Sequence, residues 1–158
     1  MNRKILFLLS NMVLSWISLL FIGKKGISKY GIASLLLTIM MQAQFAVATK
    51  NHWLWFYKTR FLEGSIPFHI GPYLASCLWM LKLTFGKVKS FLLVNSVVNF
   101  VLAYPGVWLF QKLRIAELGK MKRSQYFTFM MINGLLLYFI QYVLERIKCS
   151  KRLRNVKW

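Results

Sequence analysis

Aspartate is absent from this chain, and acid of any kind is scarce. Three glutamates stand against 22 lysines and arginines, giving a net charge of +19 over 158 residues. Without aspartate, the usual carboxylate partners of Mg²⁺ and Ca²⁺ are missing, and with them most phosphoryl-transfer and metal-centred chemistry. Intramembrane proteolysis by an aspartyl pair lacks its residues, and no HExxH, GxSxG or P-loop pattern occurs. Cysteine is equally thin. Cys77 lies in an apolar run and Cys149 in a basic tail, and no spacing suggests a zinc site or a disulfide framework. No metal, cofactor or catalytic residue is expected, and so no enzyme.

What is abundant is apolar surface. Hydrophobic residues make up 58% of the chain, against about 45–50% in soluble domains. An ordinary soluble surface mixes both signs of charge. A disordered chain is poor in apolar residues. A nucleic-acid binder gathers its basic residues on one face of an otherwise normal composition. Apolar spans alternating with basic loops are instead the pattern of an integral membrane protein.

Five runs have the length of a membrane span. Residues 5–22 carry no charge and lie between Asn2-Arg3-Lys4 and Gly23-Lys24-Lys25. This run exceeds the ~7–15 apolar residues of a secretory signal and has no small-x-small cleavage site, so it reads as an uncleaved helix. Residues 30–49 are uncharged and long enough for a hydrocarbon core of about 30 Å. Residues 66–85 form the weakest span. Pro67 and Pro72 predict an irregular start, with continuous helix from near Pro72, and Lys82 sits within reach of the far end. Residues 90–110 end in Pro105-Gly106, which should kink or stop the helix. Residues 126–144 carry Asn133-Gly134 near their middle, and the basic tail 145–158 is expected to fray or to lie on lipid.

No segment between these runs exceeds 16 residues, too few for a separate core. The expected fold is therefore all-α: one integral membrane helical bundle of five transmembrane helices. No internal repeat stands out. Residues 50–65 interleave Trp53, Trp55, Phe56, Tyr57 and Phe61 with Lys50, Lys58 and Arg60. They read either as a short helix lying at the interface or as a loop with aromatic anchors. With five spans, cations divide ten against twelve between the two faces, which does not decide orientation. If 66–85 is re-entrant or interfacial and only four segments span, the division becomes 14 against 8. Length and hydropathy favour five, charge asymmetry favours four, and either arrangement leaves the basic tail as the expected cytoplasmic end.

Asn95 and Asn99 share a helical face, with Ala103 and Gly106 continuing the row. Such a stripe reads as helix packing, since small residues let backbones approach and amides bond across; a polar pore lining is the alternative. Asn133, Gly134 and Gln42 are its natural partners. Gly71 and Ala75 form a second small-residue pair, and His69, Tyr73 and Cys77 recur at four-residue spacing, which reads as packing because no acid accompanies them to complete a catalytic set. Lys112, Arg114, Lys120, Lys122 and Arg123 form a dense basic loop. Anionic lipid headgroups are the plainest partner for it, at about 1 kcal/mol per cation near the surface. Nucleic acid is not expected, because the cations are spread over both faces.

The short basic start, the run Trp53-Leu54-Trp55-Phe56-Tyr57, the late Tyr104-Pro105 pair and the Lys-rich turns give this chain a layout that resembles small multi-spanning membrane proteins of Gram-positive, spore-forming bacteria. Those proteins have no known function. The resemblance implies a bacterial plasma membrane and brings no catalytic residues. The reading that follows is a non-enzymatic accessory or assembly component, with the lipid bilayer and a second copy or a membrane protein as partners. A small oligomeric permease or channel, lined by Asn95, Asn99, Gln42 and Asn133, is the alternative.

Overall fold

Gly23 separates two runs of good helix formers, and the backbone treats it as the only break. In the computed structural model, which describes residues 3–56 and 69–155, helix α1 covers Arg3–Lys50 with Gly23 alone outside helical geometry, at φ 75° and ψ 158°. That region is essentially reserved for glycine. The two arms of α1 lie side by side. Met12 of the first arm touches Gly71, Gln42 of the second arm touches His69, and Lys82 reaches both Phe21 and Gly26. The sequence predicts a loop over residues 23–29; one residue makes the turn, and the lysines after it are already helical. Carbonyls left open where the first arm ends need donors. Lys82 supplies one, its Nζ donating to Phe21 O at 2.9 Å while lying over the Trp79 ring. The one cation inside a predicted span thus closes a helix end.

After α1 comes strand β1 (Leu54–Phe56). The next described residues form a π-helical turn, His69–Tyr73, containing Pro72, and continue as α2 (Leu74–Thr84). The irregular start expected of this segment is present from residue 69; residues 57–68, with Pro67, lie outside the described residues. Gly86 turns the chain into α3 (Val88–Val101). Pro105-Gly106 does not stop the helix: a second π turn, Leu102–Gly106, absorbs the proline and the helix resumes as α4 (Val107–Lys112). A wide turn re-satisfies backbone groups that a proline would orphan, a common device in apolar surroundings. Strand β2 (Ala116–Leu118) pairs antiparallel with β1, with Trp55 opposite Glu117. The final helix α5 runs Arg123–Asn155, so the basic tail continues the helix to residue 155 instead of fraying from 145.

The helical class expected from the sequence is the class observed. Among the described residues, three stretches are long and apolar enough to cross a bilayer: Leu9–Lys50, Val88–Lys112 and Arg123–Ser150. The first holds residues 9–22 of the first expected span and the whole of the second, 30–49. The 11 residues of α2 rise only about 16 Å at the usual pitch. Contacts fix the packing. Gln141 reaches the Lys29 carbonyl, Leu137 packs with Leu37 and Leu81, and Met130 and Tyr126 pack with Met41, Phe45, Ala103 and Val107. Successive elements therefore run antiparallel, and Gly23, Gly86 and Glu145 share one end while the strand pair closes the other.

The distribution of polarity is inverted relative to a soluble bundle. Ser34, Thr38, Asn95, Asn99, Asn133 and Gln141 are buried, whereas Leu14, Leu20, Phe21, Leu93 and Phe139 point outward, Leu20 with 78% of its surface exposed. An apolar exterior of this extent suits lipid contact.

Candidate functional site

Asn95 and Asn99 lie one turn apart on α3 and meet as their spacing predicts. Asn99 Nδ2 donates to Asn95 Oδ1 at 3.0 Å, and the Met131 sulfur lies 3.4 and 3.6 Å from their two amide nitrogens. Both amides are buried. Gly134 of α5 faces the Asn95 amide so closely that any Cβ there would collide with it. Glycine is thus required here for space, and the expected partnership between Asn95 and Gly134 is realised.

The other two amide candidates go elsewhere. Asn133 turns back on its own helix and donates to Phe129 O at 2.9 Å, while its Oδ1 is buried without a hydrogen bond. Gln42 pairs with a residue that the sequence reading had assigned only to packing: His69 Nδ1 lies 2.7 Å from Gln42 Oε1, which makes the ring nitrogen the donor. His69 is almost fully buried between Phe45 and Tyr73, whose rings meet it edge to face. This amide–imidazole pair ties α1 to the π turn that opens α2.

Between these two polar pairs lies a cavity of about 230 Å³. Leu37, Met41, Cys77, Met130 and Leu137 form its apolar wall. Asn95, Asn99, His69, Tyr73, Tyr126 and Glu117 contribute its polar points. Leu54, Ala116 and Leu118 of the strand pair line the end near the basic loop. The rim lies between α2 and α3, where Ser76 is exposed and Met80, Val98 and Leu102 are half-buried. It is mainly apolar, and the charged group on its lining, Glu117, sits at the strand-pair end.

The basic candidates all lie at that end. Lys112, Arg114, Lys120, Lys122 and Arg123 are exposed and follow one another from the end of α4 through β2 to the start of α5. Lys112 lies over the Trp108 ring, 5.0 Å from its centre. Trp53 O accepts from Gly119 N at 3.0 Å and His52 O from Lys120 N at 3.0 Å, so the loop is fastened to the segment after α1. Leu54–Phe56 thus belongs to a strand pair, and the short interfacial helix considered for residues 50–65 is not formed over these three residues; residues 57–65 lie outside the described residues.

Tyr126 and Glu117 are not among the residues that the sequence singles out. One signal could have directed attention to Glu117. The octet at 56–63, FYKTRFLE, returns at 110–117 as FQKLRIAE, with Phe, Lys, Arg and Glu in the same places. No group of His, Cys, Asp and Glu among the described residues is arranged to hold a metal ion.

A search against protein-family models, curated proteins and solved structures found no match for this chain.

Proposed function

We propose that this chain is a non-enzymatic, multi-pass component of a bacterial plasma membrane, crossing it five times and acting by holding a partner or lipid in place. The observation that carries this reading is the fate of the amides. Asn95 and Asn99 satisfy each other against Gly134, which is the arrangement of helix packing rather than of a water-filled path. Five antiparallel crossings would put residues 24–29, residues 86–89 and the tail on one face, with the strand pair and basic loop on the other. The anionic surface of such a membrane suits the cations at both ends.

Two measurements test this. First, single-cysteine labelling in intact cells should find native Cys149, which is exposed, and Lys87→Cys reactive from the cytoplasm, with Lys120→Cys reactive from outside. Lys24→Cys, exposed like Lys87, should react from the same side as Lys87→Cys; the two reacting from opposite sides would replace five crossings by four. Second, the permease reading draws on the fact that Asn95 and Asn99 also line the cavity. The double substitution Asn95→Leu and Asn99→Leu should leave yield and detergent stability within about 1 kcal/mol of wild type, and wild-type proteoliposomes should leak no small solutes. Solute flux that disappears in the double variant would reverse the assignment.

A further inference from the structure

The cavity needs an occupant. Engineered apolar cavities of about 150 Å³ stay dry and take up benzene, and this one is larger, at about 230 Å³. Most of its lining is apolar, with Leu37, Met41, Met130 and Leu137 on the wall, and two of its polar groups, Asn95 and Asn99, already bond each other, so hydrocarbon suits the apolar part. The route in has the same character. The strand pair covers the end of the cavity, while the rim at Ser76, Met80, Val98 and Leu102 opens sideways between α2 and α3. In a bilayer that opening faces acyl chains.

The polar end narrows the choice. Tyr73, Tyr126 and Glu117 stand where the cavity meets the loop carrying Lys112, Arg114, Lys120, Lys122 and Arg123. Five cations against one carboxylate, Glu117, in this stretch of chain favour a headgroup of net negative charge, and the Tyr126 hydroxyl on the cavity lining can donate to its oxygens. We propose that the cavity seats one acyl chain of an anionic membrane lipid, entering between α2 and α3, with the headgroup held by Lys120, Lys122 and Arg123. The idea rests on the holding role argued above, but it can fail separately: the labelling and flux measurements there do not involve lipid chains.

The test uses the full chain in phosphatidylcholine vesicles containing a trace of phosphatidylglycerol with a photoreactive group near its chain end. After illumination, mass spectrometry locates the modified residues. Modification is expected on Met130, Cys77 or Leu137, in addition to outward positions such as Leu93 and Phe139. Met130→Trp fills the cavity and should lower the interior signal about tenfold, the factor that corresponds to a loss of about 1.4 kcal/mol, with outward labelling unchanged. Cys77→Leu gives a second, milder filling should the tryptophan variant not fold. Replacing Lys120, Lys122 and Arg123 together by Gln should reduce interior labelling to that obtained with a phosphatidylcholine probe. Labelling confined to outward residues, or interior labelling indifferent to both fillings, would overturn the chain site. Equal interior labelling by the two probes in the wild-type protein would overturn the anionic headgroup.

Discussion

The half of the bundle near Gly86 is packed ring on ring, and the half near the strand pair, although Phe45, His69 and Tyr73 also meet there, is hollow beside the cavity. Around Gly86, Phe85 and Phe91 both pack on Tyr138, at 5.4 and 4.8 Å between centres, and Tyr30 meets Phe85 edge to face. Leu81 and Phe91 are sealed there with at most 1% exposure. Near the strand pair, the π turns at His69–Tyr73 and Leu102–Gly106 coincide with a cavity that no side chain fills. The same number of helical elements is present in both halves. The difference lies in prolines: Pro72 and Pro105 each force a wide turn, and wide turns shift the side chains that follow. Packing density in this protein is set locally by backbone irregularity more than by the supply of large residues.

That contrast can be broken by substitution. The largest effect is expected at the waist between the halves. Gly134→Leu would drive a side chain into the Asn95 amide and should cost about 3 kcal/mol, read as a lowered midpoint of thermal unfolding in detergent. An unchanged midpoint would mean that the waist is not packed as described. Next comes the polar tie at the hollow end. Gln42→Leu removes the amide oxygen that His69 Nδ1 bonds and should cost about 1 kcal/mol. Steric trapping or denaturant titration would measure it, and the variant should also loosen protection of the α2 backbone against hydrogen exchange. The smallest effect belongs to Cys77→Ala. Cys77 already faces the cavity, so losing its sulfur enlarges an existing space instead of opening a new one, at under about 1 kcal/mol. A cost comparable to that of Gly134→Leu would erase the distinction between filled and hollow regions.

Much of the fold could be read from uncharged runs, because hydrocarbon admits few ways to satisfy a backbone and helix is the commonest. The departures are instructive. Residues 24–29 look like a loop by charge, yet lysines are good helix formers, and one glycine suffices to reverse the chain. Pro105 looks like a stop, yet its missing N–H is absorbed by a change of helical pitch, a property of the surrounding turn that the pair Pro-Gly does not announce. The strand pair joins residues 54–56 to 116–118, and no local pattern encodes a pairing across that separation. At the site, the Asn95–Asn99 bond was legible because both groups lie on one helix at i and i+4. The Gln42–His69 bond spans two elements and depends on how α1 folds back, which nothing near either residue states. The cavity is less legible still, since it is made where side chains are absent.

Gly23 has a further consequence. No atom lies within 4 Å of where its side chain would point, so room is not what the position demands. Its backbone angles, φ 75° and ψ 158°, are costly for an L-residue of any size, by about 1–3 kcal/mol. Their mirror image lies at the edge of the ordinary extended region. The turn that lets the two arms of α1 lie together is therefore selective for handedness and indifferent to bulk: a D-alanine installed there by chemical synthesis should be tolerated where L-alanine is strained.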